Sequence, residues 1–356
     1  MDQYLNWAVL GTGVIANEMA TALQEKGQRI YAVGNRTYEK GVAFAKRYGI
    51  EKVYPDMNDV FLDPEVDAVY LTTPHNTHFR FAKKALESGK HVYIEKAITL
   101  NARELEDLCA IAEEKGLLIA EAMTIWHMPL YRELWHIVES GELGRVQMIT
   151  MNFGSFKEYD MTNRFFNLDL AGGALLDIGV YAISLVRSFM SSCPDQVLSQ
   201  WQPSPTGSDE MDTILLKNPD GQMATIALTM HSKQPKRAMI SCEKGYIEIM
   251  EYPRGERATI VDAETGGTRT VEAGETGKAL RYELEDFEKA VLLLKASEQV
   301  VGEREDPALG TVLEEVGKSA LKTAYEQMKL PLTKDVMVIM TKLRKDWGLQ
   351  YPNEQW

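Results

Sequence analysis

One stretch constrains this chain more than any other: Tyr4–Thr21, YLNWAVLGTGVIANEMAT. Trp7-Ala8-Val9-Leu10 is an apolar run that reads as a buried strand, and Met19, Ala20 and Leu23 carry a helical pattern beyond it. Between them stands Gly11-Thr12-Gly13-Val14-Ile15-Ala16. A strand passing through paired glycines into a helix suits a dinucleotide. Gly11 permits the tight turn, Gly13 lets the backbone approach a pyrophosphate, and Ala16 lets the helix lie close on the strand. The helix then offers its unpaired N–H groups and positive dipole end to phosphate. Glycine pairs also serve ordinary turns, so the flanking strand and helix are what favour the nucleotide. Gly11, Thr12, Gly13, Val14 and Ile15 are the expected contacts.

Strand and helix then alternate as far as Ala120. Strands are expected at Gln28–Val33, Glu51–Tyr54, Val66–Leu71, His91–Ile94 and Leu117–Ala120, with helices between them. That order implies a doubly wound parallel sheet covered on both faces, an α/β Rossmann arrangement. Ligands of such sheets bind beyond the carboxyl ends of the strands, where Gly11, Asn35, Arg36, Thr72, Thr73, Pro74, His78, Glu95 and Lys96 fall. A site for NAD usually shows an acidic residue after the second strand, and this chain has Arg36 there. A guanidinium suits a 2′-phosphate, so NADP is the expected cofactor, with NAD as the alternative. Arg36 as a solvated loop charge is the bland alternative.

From Met123 the texture changes to mostly extended segments between Val146 and Asp262, separated by turns such as Asn218-Pro219-Asp220-Gly221. They predict a second, α+β domain on a large, mainly antiparallel open sheet. The boundaries read 1–122 for the cofactor domain and 123–356 for the substrate and oligomerisation domain, whose last helices pack back on the first. Ser204–Asp209 and Glu264–Thr276 read as surface loops. The strand Gln222–Met230 is semi-apolar on both faces, which suits a helix layer on one side and either another subunit or solvent on the other. A net charge of −13 argues against nucleic-acid or anionic-membrane partners. No uninterrupted apolar stretch approaches membrane-spanning length, and no leader is expected at the N-terminus. Cys109, Cys193 and Cys242 make no metal or disulfide spacing, so a reduced, cytoplasmic protein is the expectation.

The second informative stretch is Asp169-Leu-Ala-Gly-Gly-Ala-Leu-Leu-Asp177-Ile-Gly-Val-Tyr181. Asp177 and Tyr181, four residues apart, share one face of a helix. The glycines before them fit a helix start lying close to another segment or a ligand. An Asp in an otherwise apolar helix is costly unless paired, which makes Asp177 a site candidate or a buried hydrogen-bond hub.

Four motifs occur in order: G-T-G-x-I-A, T-P-H-x-x-H, E-K and G-G-A-L-L-D-I-G-V-Y. As a set they resemble the Gfo/Idh/MocA family (glucose–fructose oxidoreductase/inositol dehydrogenase), over Trp7 to about Phe287. Tyr181, where many members have His, resembles the subset containing dimeric dihydrodiol dehydrogenase and D-xylose dehydrogenase. The resemblance implies an NADP-dependent oxidoreductase acting on a secondary alcohol of a sugar, polyol or cyclic dihydrodiol. It implies a homodimer or tetramer through the C-terminal sheet, with Lys96 and Tyr181 in the catalytic positions and Asp177 beside them. A phenol with a pKa of about 10 is a poor base near neutrality. A neighbouring ammonium would favour phenolate and stabilise a developing alkoxide. Tyr181 is therefore read as proton donor and acceptor, Lys96 as its electrostatic partner or itself the proton shuttle, and Asp177 as positioner. Arg164, shortly before the glycines, is a substrate or a surface residue.

The chain departs from the family in two places. Ala171 replaces the first glycine of the family's triplet, and Ala97 replaces the proline after the lysine. Because a non-proline cis bond is costly, a trans peptide is expected at Lys96–Ala97. His75, His78, Glu95 and Asp177 match no metal spacing, so no metal is expected. The rival readings are a non-catalytic NADP-binding sensor and a tight-cofactor enzyme exchanging hydride between two sugars.

Overall fold

The computed structural model describes residues 4–302, 310–352 and 354. The chain forms two units: Met1–Thr99 with Arg103–Ala122 and Leu280–Pro331, and Leu100–Ala102 with Met123–Ala279 and Leu332–Trp356.

In the first unit the strands are β1 (Trp7–Leu10), β2 (Ala32–Gly34), β3 (Lys52–Tyr54), β4 (Ala68–Leu71), β5 (His91–Glu95) and β6 (Ile119–Ala122). All neighbours pair parallel, in the order β3-β2-β1-β4-β5-β6. The order reverses at β1, the place where a doubly wound sheet opens a crevice for a ligand. Every residue of β1 and β4 is buried, as a strand covered on both faces requires. The late helix Ala279–Gly302 supplies part of that cover. Its Phe287 ring lies 5.1 Å from Trp7 and 4.8 Å from Tyr93. Trp7 Nε1 donates to Glu288 at 3.1 Å, which satisfies the indole inside the core. The second strand starts later than its apolar run, at Ala32, and Met57–Leu62 is a 3₁₀ turn.

The second unit holds β7 (Val146–Gly154), β8 (Gln196–Pro203), β9 (Asp209–Lys217), β10 (Met223–Thr229), β11 (Gln234–Cys242), β12 (Gly245–Met250), β13 (Arg257–Asp262) and β14 (Thr268–Glu272). The sheet order is β14-β13-β12-β11-β7-β10-β9-β8, antiparallel except for the central β7–β10 pair. Two loop expectations fail here. Thr268–Glu272 pairs with β13 as an edge strand, despite its nearly continuous exposure. Within Ser204–Asp209, Ser204, Ser208 and Asp209 are buried, because the segment feeds directly into β9. Leu168–Phe189, interrupted by Asp169, Asp177 and Arg187, is long and apolar enough by composition to span a bilayer, and 83% of its apolar window is buried inside the fold.

His91 links strand β5 to the segment entering β6, its ring Nδ1 accepting from Leu118 N–H at 2.9 Å. Burial, helped by the Lys295 ammonium, pushes its pKa down to about 4. The unfolded chain takes up a proton near pH 6.5, which the folded chain refuses until about pH 4. This contribution to stability is therefore complete above pH 6.5 and declines by about 3 kcal/mol as pH falls to 4. Thermal unfolding between pH 7 and 4 should show His91→Gln losing less stability than the parent; parallel curves would refute the assignment.

Candidate active site

The glycine turn is built as a phosphate site requires. Gly11 has φ +103°, and a Cβ there would lie 2.6 Å from Thr72 Oγ1, so only glycine fits. Its N–H donates to Gly34 O at 2.9 Å, and Thr72 Oγ1 donates to Leu10 O at 2.9 Å, tying together the ends of β1, β2 and β4. Gly13 heads the helix Val14–Glu25 and faces open space, with nothing within 4 Å of an added Cβ. That helix has no side-chain cap and no acid in its first turn, and Val14 is exposed. An uncapped, exposed N-terminus fits a pyrophosphate. Thr12 Oγ1 donates to Asn35 Oδ1 at 3.2 Å, Asn35 Nδ2 donates to Thr37 O at 2.8 Å, and the neighbouring Arg36 is exposed. The residues present thus fit a nicotinamide dinucleotide, the turn taking the pyrophosphate and Arg36 standing at the end of β2.

The T-P-H-x-x-H segment works on the backbone of the lysine motif. His75 Nε2 lies 3.0 Å from Lys96 O; His78 Nδ1 lies 3.0 Å from Ala97 O, and its Nε2 lies 2.8 Å from Thr73 O. His78 is fully buried with both ring nitrogens against backbone carbonyls, which makes it a structural bracket. Burial pushes its pKa down, against the carbonyls, which favour the charged ring. Glu121 accepts from Ile98 N–H at 3.1 Å. The peptide Lys96–Ala97 is cis, correcting the trans expectation: the carbonyls on both sides of that bond are held by buried side chains, and Ala97 is itself buried. Lys96 and Glu95 are half-buried, and the Tyr70 phenol donates to Glu95. Thr72 and Thr73 are half-buried and Pro74 exposed, at the end of β4.

In the second unit, Leu175–Gly179 is a π turn that leads directly into the helix Val180–Phe189. Single π turns inside helices recur at functional sites because they shift the side chains after them around the axis. Asp177 lies within this turn and Tyr181 just beyond it, so their shared face is set by the wider turn and not by a regular α-helix. Asp177 is 8% exposed and pairs with Arg164 Nη1 at 3.2 Å. Tyr181 is half-buried, with the Phe153 ring 6.3 Å away. Gly172 explains the Arg164 contact: a Cβ there would sit 2.5 Å from Arg164 O and 2.9 Å from Asn167 N. The loop crosses the helix start because glycine leaves room for it.

The profile of the Gfo/Idh/MocA oxidoreductase family with NAD-binding Rossmann fold matches residues 5–123, and that of the Gfo/Idh/MocA C-terminal domain matches residues 131–248. The chain is 33% identical over 230 residues to an uncharacterized oxidoreductase of Rhizobium meliloti, covering 63% of this chain and 68% of that one. The chain belongs to the Gfo/Idh/MocA family. It is 26% identical over 334 residues to trans-1,2-dihydrobenzene-1,2-diol dehydrogenase of Xenopus tropicalis, covering 90% of this chain and 97% of the relative. A 3-ketoreductase from Actinomadura kijaniata, solved with TDP-benzene and NADP, shares the fold with TM-score 0.71 at 22% identity, over 90% of this chain and 95% of that one.

This member of the family is therefore an oxidoreductase whose first unit binds NAD(P). Lys96 belongs to that unit, and Arg164, Asp177 and Tyr181 to the second. Sequence reasoning missed three supports: the His75 contact with Lys96 O, Glu121 on Ile98, and Tyr70 on Glu95. For His75 the signal was present, since two histidines three residues apart on one turn face one neighbour. Glu121 carried none, because it stands just past the apolar run Leu117–Ala120 with nothing in sequence to mark its partner.

Adding a methyl at Gly172 should push the Arg164–Asn167 loop off the helix start. Gly172→Ala is expected to lose about 1–3 kcal/mol of stability in urea unfolding, the usual cost of overpacking. A variant as stable as the parent would show that the crossing is loose.

Proposed function

We propose that this protein is an NADP-preferring dehydrogenase or reductase of a secondary alcohol on a sugar, polyol or cyclic diol, with Tyr181, Lys96 and Asp177 as its working side chains. The observation that carries this reading is the π turn, which holds a buried, Arg-paired carboxylate immediately before a half-buried phenol in an otherwise apolar helix. The dihydrodiol relative, similar along nearly its whole length, supports a vicinal diol or a polyol as substrate.

A bound nicotinamide would supply the hydride chemistry. The protein's part is to manage the hydroxyl proton and the substrate's orientation. Tyr181 exchanges the proton with the substrate oxygen, and the Lys96 ammonium favours the phenolate and steadies negative charge on that oxygen. Asp177, paired with Arg164, accepts from a neighbouring substrate hydroxyl and orients the substrate. The histidine brackets of the first unit hold the main chain on either side of the cis bond, so Lys96 projects from a rigid base.

Arg36, exposed at the end of β2 with no acid beside it in sequence, supports NADP over NAD through a 2′-phosphate contact. A homodimer or tetramer through the second sheet is supported by its exposed apolar residues. Leu198 is 68% and Leu215 41% exposed in one register row, and Met148 and Met223 face solvent in another. A mass above that of one chain is expected by light scattering, and a monomer would remove that part of the reading.

The main test follows reduced cofactor by absorbance over a panel of sugars, polyols and dihydrodiols. Tyr181→Phe should lower turnover by about 10²-fold or more while NADP still binds, and Arg36→Ala should weaken NADP far more than NAD. Undiminished turnover in Tyr181→Phe would discard the assignment.

A further inference from the structure

The π turn is held from behind by a buried pair of carboxyl groups that the chemistry above does not use. In β9 alternation places Asp212, Ile214 and Leu216 inward, with Met211, Thr213 and Leu215 facing solvent. Asp209 ought then to face outward with Met211. It does not, because Gln202 pairs with Met211 while Pro203 pairs with Asp209, leaving Glu210 as a bulge. A bulge re-aims the side chains beyond it. Asp209 and Asp212 consequently both point inward, 0% and 1% exposed.

Asp209 meets the start of the segment that carries Asp177 and Tyr181. Its Oδ2 accepts the Leu175 N–H at 2.5 Å, taking one of the amides a helix start leaves unpaired. Its Oδ1 lies against Gly173, where a Cβ would stand only 2.0 Å away and φ is +140°, so no other residue fits. From the other side Tyr351 donates to Gly172 O at 3.1 Å. The charged groups around Asp209 are Asp212 and the Arg344 guanidinium, itself fully buried, bonded to Glu354 and donating to Leu100 O at 2.8 Å.

Asp212 is the anomaly. Among the described residues neither of its buried oxygens meets an N–H or O–H donor, and the neighbouring charged group is the Asp209 carboxyl, brought to the same inward face by the bulge. Two carboxylates cannot face each other there with both charged, since burial and like charge act together against the second ionisation. We propose that Asp209 and Asp212 share one proton, Asp212 donating to an ionised Asp209, and that this pair positions the π turn so that Asp177 and Tyr181 meet the substrate. Asp209 is thus a positioning residue, and its role rests on the reading of Tyr181 given above. Burial raises the affinity of both groups for that proton, most strongly at Asp212.

The test uses the full-length protein. Infrared difference spectra on exchange into D₂O at pH 7–8 should show a protonated-carboxyl C=O band that is absent in Asp212→Asn. The amide of that variant still donates to Asp209, so its turnover should stay near that of the parent. Asp209→Asn leaves one acceptor oxygen where Leu175 N–H and Asp212 together need two, and its kcat should fall about tenfold or more through misplacement of Tyr181, with substrate KM changing less and NADP affinity unchanged. Absence of the band, or a loss of turnover in Asp212→Asn equal to that in Asp209→Asn, would overturn the proposal. If Asp209→Asn does not fold, the band and Asp212→Asn still decide. Tyr181→Phe separates the two claims: full turnover there sinks the functional reading, whereas its collapse beside a fully active Asp209→Asn sinks only the positioning role.

Discussion

A buried backbone carbonyl or amide must find a partner, and in this protein that requirement governs the places where chain direction changes beside the chemistry. The carbonyls of Thr73, Lys96 and Ala97 cannot join a strand ladder, since each lies beyond the carboxyl end of β4 or β5. His75 lies against the Lys96 carbonyl, and the one N–H of a neutral His78 ring serves one of the two carbonyls that flank it. The result is a rigid ledge beyond the parallel sheet, from which Lys96 projects. A flexible loop at that point would carry the same lysine without a defined direction.

The second unit meets the same requirement with carboxylates. Asp177 is balanced by Arg164, which a glycine lets pass over the helix start. Asp209 takes the Leu175 amide and fills the space that Gly173 leaves. Each glycine of the pair therefore serves a different neighbour, Gly172 the loop backbone and Gly173 a carboxyl group. The π turn between them and Tyr181 shows how closely the segment is determined. An extra residue in a helical turn persists where the surroundings fix both ends, and here the ends are the Asp209 contact and the apolar helix Val180–Phe189 under the sheet. Ala171, with φ +56°, takes the left-handed conformation that glycine adopts without cost.

The first unit's alternation of strand and helix, its glycine turn, the long apolar helix after Ala174 and the mainly antiparallel second sheet could all be read from the chain, because each follows from local periodicity or from residue types with one strong physical use. Gly11 is an example: its neighbours Leu10 and Thr12 lie in sequence beside the turn it makes. Family membership rested on four motifs in a fixed order and needed no coordinates. What could not be read depended on partners far along the chain. The cis bond at Lys96–Ala97 is held by side chains about 20 residues away, the Leu175 amide is met by a carboxyl 34 residues on, and Trp7 is covered by a helix 281 residues later. Thr268–Glu272 became a strand because β13 had an open edge, which its own polar sequence does not signal. By itself the sequence determined the architecture and the cofactor class, since those depend on short-range pattern and on intrinsic chemistry. Only the tertiary structure decided how Lys96, Asp177 and Tyr181 are each held, because a buried polar group takes its partner from whichever distant segment the fold brings against it.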